Sequence, residues 1–250
     1  MTGILYLIPN TLGALGGAQG VSLSAIIPDE VQALTSRLDY FIAENAKTTR
    51  AHLKLVGSAR PLCRPIQEIQ INELNVNTDA KSLPALLAPL KEGRDGGLIS
   101  EAGVPAVADP GANLVRLAHA EGIQVRPLVG PSSLLLAVMA SGLNGQSFAF
   151  NGYLPTDAGQ RTKRIKSLEE RSRQEKQTQL FIETPYRNSA LLEALVTTCQ
   201  ASTLVCCATD LSLASESIRT QTAAKWKNDI ATGKIDHLHK RPTVFLMLAQ

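Results

Sequence analysis

Residues 98–154 read LISEAGVPAVADPGANLVRLAHAEGIQVRPLVGPSSLLLAVMASGLNGQSFAFNGYL, and their order decides the fold. An apolar run, Leu98–Ile99, is followed by a turn of small residues, Ser100 to Pro105. Ala112–Glu121 has the spacing of an amphipathic helix and is closed by Gly122. A second apolar run, Val125–Val129, leads into the turn Gly130-Pro131-Ser132-Ser133 and an apolar helix that stops at Gly142. This is a βαβα order with both turns at strand ends, the edge of an open α/β sheet where ligands bind. Turns made of Ser, Ala, Gly and Pro let a small ligand come close to the backbone.

Working outward, Ile4–Ile8 and Tyr40–Ala43 read as buried parallel strands, with helices over Asp29–Ser36, Thr48–Val56 and Ser82–Gly93. The stretch Ser58–Asn77, with Pro61 and Pro65, reads as irregular. Downstream, Phe148–Tyr153, Leu180–Glu183, Leu204–Ala208 and Thr243–Leu248 read as strands, and Arg161–Lys176 and Asn188–Thr198 as helices. Strands alternating with helices imply a parallel sheet covered on both faces. The polar Asn144-Gly145-Gln146-Ser147 reads as a linker. The expectation is therefore an α/β fold class: two α/β domains, 1–145 with a parallel sheet and 146–250, with a ligand pocket in the cleft between them.

With 250 residues and 44% hydrophobic content the chain can build sizeable cores. A net charge of +3 permits an anionic partner without demanding one. No apolar run reaches the roughly 18 residues that span a membrane, and MTGILYLIPN lacks the basic start of a signal peptide. Four cysteines without C-x-x-C spacing fit buried thiols in a reduced, cytoplasmic setting. The histidines, His237 and His239 among them, form no metal-ligand pattern, so no metal is expected.

The loop after the first strand, Pro9 to Gly17, has neither G-x-G-x-x-G nor G-x-x-x-x-G-K-[ST], so it lacks a dinucleotide or P-loop phosphate cradle. Arg161, Lys163, Arg164, Lys166, Arg171, Arg173 and Lys176 alternate with Glu169, Glu170 and Glu175, the pattern of a solvated helix face that could also meet an RNA backbone.

Six segments carry a resemblance: LYLIPNTLG, IAENAKTTR, LISEAGVPAVADPG, VRPLVGPSS, FNGYLP and FIETPYR. Their order resembles the tetrapyrrole-methylase superfamily of S-adenosylmethionine-dependent methyltransferases, and within it the 16S ribosomal RNA cytidine 2'-O-ribose methyltransferase family. The departures matter, and the family's P-x-G-N is degraded in Pro9–Gly13. Glu101 stands where the family has Asp, Ala43–Arg50 rebuilds the family's A-E-D-T-R, and Ala208-Thr209-Asp210-Leu211 lacks the arginine of A-R-E-L.

The resemblance implies S-adenosyl-L-methionine as cofactor, held without metal by Pro9, Ser100, Glu101, Ala102, Gly103, Val104, Ser132, Ser133 and Ile182. It implies RNA as partner, ribosomal RNA or the small subunit, no membrane, and a homodimer. Methyl transfer to a ribose hydroxyl needs a proton acceptor, and Glu44, Glu101, Asp109 and Glu183 all sit in or beside the motifs. The sequence does not choose among them. Two alternatives stay open: a family member that binds the cofactor without methyl transfer, and a methylase of small tetrapyrrole-type molecules.

Overall fold

A computed structural model describes residues 2–15, 21–235, 238 and 240–250. Gly16, Gly17, His237 and His239 lie outside the described residues. The chain divides into two compact units, Met1–Ser132 and Ser133–Gln250.

The first unit holds β1 (Ile4–Ile8), α1 (Asp29–Thr35), β2 (Tyr40–Ala43), α2 (Ala46–Ala59), β3 (Gln70–Glu73), α3 (Leu83–Lys91), β4 (Gly96–Ile99), α4 (Gly111–Ala120) and β5 (Gln124–Pro127). Its five strands are all parallel, in the order β3-β2-β4-β1-β5. Alternate strand residues face opposite ways. Leu5, Tyr40, Ile42 and Leu98 pack with Leu86 and Leu87 of α3 and Leu114 of α4. Tyr6, Ile8, Phe41 and Ile99 pack on the other face with Leu53 of α2 and Leu34 of α1. The sheet is thus doubly wound. The chain leaves β1 over one face toward β2 and leaves β4 over the other toward β5. The adjacent β1 and β4 therefore form the topological switch point, outside whose carboxyl ends ligands of such sheets bind.

β4 begins two residues earlier than its apolar letters. Gly96 and Gly97 are buried strand positions because a Cβ on Gly97 would lie 2.4 Å from Ile8 Cδ1 and one on Gly96 2.9 Å from Tyr40 Cδ1. β3 emerges from the stretch read as irregular. It is an edge strand, Gln-Ile-Asn-Glu, with nothing fully buried, so hydropathy could not mark it.

His52 of α2 is buried, and its Nδ1 has no hydrogen-bond partner. Burial lowers its pKa to about 4 from an ordinary 6.5. The unfolded chain takes up the proton near 6.5 and the folded chain only near 4. The neutral ring's stability is therefore complete above pH 6.5 and lost as pH falls toward 4, a change of about 3 kcal/mol. Urea unfolding of His52→Leu at pH 7 and 4.5 should show a much smaller pH-dependent loss than wild type; equal losses would assign the effect elsewhere.

The second unit holds α5 (Ser133–Ser141), β6 (Phe148–Tyr153), α6 (Ala158–Glu175), β7 (Thr178–Ile182), α7 (Asn188–Thr198), β8 (Leu204–Thr209), β9 (Ser217–Thr222), α8 (Ala223–Ala231) and β10 (Thr243–Leu248). Its sheet runs β6-β7-β10-β8-β9. It is mixed rather than parallel: β6 pairs β7 parallel, but β10 pairs β7 and β8 antiparallel, and β8 pairs β9 antiparallel. The physical reason is the direct β8–β9 connection, which lacks the helix a parallel crossover needs. β9, Ser-Ile-Arg-Thr-Gln-Thr, carries too little apolar signal to be read as a strand. Residues 144–147 lie between α5 and β6 inside this unit, where Asn144 Nδ2 donates to the Lys176 carbonyl at 2.6 Å.

On α6, Asp157 caps the first turn by accepting from Gln160 N at 2.8 Å, and Ile165 and Leu168 face the core. Glu169 is not on the solvated face. It is buried and accepts from Gln200 N at 2.7 Å and from the Thr203 hydroxyl. Among the described residues, no helix is long and apolar enough to cross a membrane.

Candidate functional site

The loops that leave β1 and β4 are fastened to each other. Asn10 N donates to the Gly103 carbonyl at 2.8 Å. The buried Asn10 side chain donates from Nδ2 to the Ser100 and Glu101 carbonyls, at 3.1 and 3.0 Å, and accepts from Thr11 N through Oδ1 at 2.8 Å. One amide thus ties together two loops about 90 residues apart in sequence. Gly103 has φ +69°, where a Cβ is strained, and such a Cβ would also lie 3.2 Å from Leu12 and 3.5 Å from the Pro131 carbonyl. The third loop, after β5, closes against the first: a Cβ on Gly130 would lie 2.2 Å from that of Pro9.

The structure therefore brings Pro9, Ser100 to Val104 and the Gly130–Ser132 turn to one strand-end surface of the first unit. Glu101 and Ala102 are exposed there, whereas Gly103 is buried, so a larger Gly103 would press on Leu12 and Pro131. In the second unit, Ser133 begins α5 and Ile182 ends β7, paired with Val244 and Tyr153. Asn10 was missed as a site residue. The one available signal was its type: Asn both donates and accepts, and it directly follows a buried strand and its proline.

Three of the four candidate carboxylates meet in the first unit. Glu44, at the end of β2, accepts from Glu101 N at 2.9 Å and lines a small cavity with Ser100 and Asp109. Asp109 braces its own turn. Both oxygens accept from Ala106 N at 2.9 Å, and Oδ1 also accepts from Gly111 N at 2.7 Å. That brace holds Ala106 and Ala108 at φ +65° and +63°. Burial pushes the Asp109 carboxyl up and the Glu44 charge adds to it, against the pull of the Gly111 and Ala106 N–H groups. Glu183 lies in the second unit, buried and paired with Arg187 at 3.1 Å. Among the described residues, only Glu101 of the four has an exposed side chain free of hydrogen bonds and ion pairs. An arginine does reach the segment that lacks its own: Arg241 Nε donates to Asp210 at 2.7 Å.

No family model matches the chain. A ribosomal RNA small subunit methyltransferase I of Escherichia coli O157:H7 is 30% identical over 216 residues, 86% of this chain and 68% of the relative. The chain belongs to this methyltransferase family. The family member of Xylella fastidiosa is 28% identical over 99% of this chain and 81% of its own length. Among solved structures, that of the methyltransferase CobJ matches with a TM-score of 0.61 and 16% identity, covering 99% of this chain and 95% of that one. At that identity the match speaks for the fold, which is that of the tetrapyrrole methylases.

Proposed function

We propose that this chain transfers the methyl group of S-adenosylmethionine to a ribose 2'-hydroxyl of small-subunit ribosomal RNA. The reading is carried by one observation: in a member of this family, the switch-point loop after β4 exposes Ala102 beside the Glu101 carboxylate, which has no hydrogen bond or ion pair among the described residues. Those residues suit the ligand. Ala102 is exposed and small, which leaves room for an adenosine moiety against the loop. When bound, the cofactor supplies an activated methyl group on a positively charged sulfur. Pro9, Ser100 to Val104 and Ser132 would set its position. Asn10 fixes the loop geometry, which matters because in-line transfer depends on placement. Glu101 would accept the hydroxyl proton as the oxygen attacks. Glu44, Asp109 and Glu183 are committed to the hydrogen bonds and ion pair already described. A cytoplasmic homodimer belongs to the same reading, as the family resemblance implies.

The test is transfer of labelled methyl from the cofactor to purified small subunits, followed by mapping of the modified nucleotide. Label on a ribose oxygen supports the reading. Cofactor binding without transfer would favour the inactive binding module, and label on a tetrapyrrole would favour the small-molecule methylase.

The basic helix α6 belongs to the RNA side of this proposal. Arg161 donates to the Thr156 carbonyl at 3.0 Å, Arg164 to Asn151 at 3.2 Å, and Arg171 and Arg173 pair with Glu175 and Glu170. Lys163 and Lys166 are exposed without an ion pair among the described residues. Lys163→Gln with Lys166→Gln should weaken RNA binding and lower its salt dependence by between one and two released counterions. An unchanged slope in a binding titration from low to high salt would remove α6 from the interface.

A further inference from the structure

The amino-terminal end of the first unit's sheet carries a second concavity, a groove of about 950 Å³. It lies at the strand entrances Asp39 and Asp95, roughly 15 Å along the strands from the switch-point loops. The end of α1 contributes Arg37, the loop after α2 contributes Cys63 and Arg64, and β5 contributes Arg126.

The charges here are arranged in two layers. In the inner layer, Asp39 accepts from Arg94 Nε at 2.8 Å and from Arg64 Nε at 3.1 Å. Arg94 also donates to Gln70 at 2.8 Å and to the Asp39 carbonyl at 3.0 Å, and its guanidinium lies over the Tyr40 ring, 5.1 Å from the centroid. Burial pushes the Asp39 carboxyl up, but the Arg94 hydrogen bond and charge, with Arg64, outweigh it and hold the group below the usual carboxylate range. Asp95 accepts from Ile4 N at 2.8 Å. Two of the groove's three carboxylates are therefore committed, leaving the exposed Glu68.

The outer layer is Arg37 and Arg126, both exposed. Arg37 uses Nε to cap α1 at the Ala33 carbonyl, 3.0 Å away, and its terminal nitrogens extend beyond that bond. Arg126 is in register with Tyr6, so it projects on the face that α1 and α2 pack against. α1 spans seven residues, and β5 is an edge strand whose Arg126 stays exposed on that face. Neither arginine has a carboxylate partner among the described residues. A guanidinium presents forked donors that match phosphate oxygens.

We propose that this groove is a second RNA contact, in which Arg37 and Arg126 grip the phosphodiester backbone while Arg64 and Arg94, fixed by Asp39, supply positive charge behind them. The inference rests on the RNA substrate proposed above. Free phosphate shares the chemistry, and a competing structural role exists: an inward-pointing charge on an edge strand blocks unwanted strand pairing.

The groove contains its own reporter. Cys63 is exposed, whereas Cys199, Cys206 and Cys207 are buried, so a maleimide should modify Cys63 first. A small-subunit ribosomal RNA fragment should slow that modification several-fold at low salt, with protection fading as salt rises. Arg37→Gln with Arg126→Gln should bind the RNA about ten-fold more weakly, with a salt slope lower by between one and two and unchanged cofactor affinity. Arg37→Lys with Arg126→Lys should keep most of the slope. Unprotected Cys63, or equal RNA affinity in the glutamine variant, overturns the proposal and assigns the arginines to edge protection. Protection by inorganic phosphate but not by RNA overturns it in favour of a free-phosphate site. The two readings fail separately: methyl transfer with Cys63 unprotected sinks only the groove, and protection without methyl transfer sinks only the catalytic reading.

Discussion

Glu101→Gln is expected to slow methyl transfer about a hundred-fold or more while leaving cofactor affinity within a few-fold of wild type. Glutamine keeps the size and one acceptor of the side chain but cannot take up a proton, and a positioned base typically contributes two to four orders of magnitude. The bond to the Glu44 carboxylate uses the Glu101 backbone N–H and not its side chain, so the loop should keep its shape. Saturating single-turnover rates and calorimetric titration with cofactor separate the two effects. An unchanged rate would remove Glu101 as the base. Lost affinity with a normal rate at saturation would make it a cofactor ligand instead.

Asn10→Asp, an isosteric change, should destabilise the first unit by about 2–4 kcal/mol at pH 8. It puts an acceptor where Nδ2 now donates to two carbonyls, in a position only 5% exposed. The new carboxyl would hold a proton more tightly in the folded state than in the unfolded one. Its stabilising form is therefore present at low pH and lost as pH rises through the raised folded value. Denaturant midpoints should consequently separate from wild type more at pH 8 than at pH 5, with cofactor affinity falling in parallel as the two loops part. Asn10→Ala should be milder, since it removes the donor without adding repulsion. Equal stability of Asn10→Asp and wild type at both pH values would show that the latch contributes nothing.

The parts of this fold that sequence revealed are those written in apolar letters. β1, β2, β10 and α7 occupy the expected residues because each is a buried run or stripe bounded by Pro, Gly or a polar turn, and β6 does so although none of its residues is fully buried. What stayed hidden depended on partners. Gly96 and Gly97 belong to a strand because Tyr40, Ile8 and Phe41 fill the space beside them. Glu169 looks like a surface residue until Gln200 and Thr203 close over it. The strand-end loops were legible as a candidate site because small residues after a buried strand are visible locally. The Asn10 latch was not, because its acceptors lie about 90 residues away. Cys63, expected among buried thiols, is exposed because it lies in the loop beyond α2 rather than inside an element.

The strand order has a consequence for how the molecule is made. β1 and β2 leave the ribosome before the other strands of their sheet, yet they share no hydrogen bonds, because β4 occupies the place between them. Until Ile99 has emerged, β1 has no partner at all and β2 can pair only with the polar edge strand β3. The nascent β1–β2 segment must therefore wait with Leu5, Ile8, Phe41 and Ile42 uncovered, and it gains its sheet in one late insertion event. Synthesis at roughly 5–20 residues per second makes that a window of several seconds, in which exposed apolar strands are prone to aggregate or to recruit chaperones.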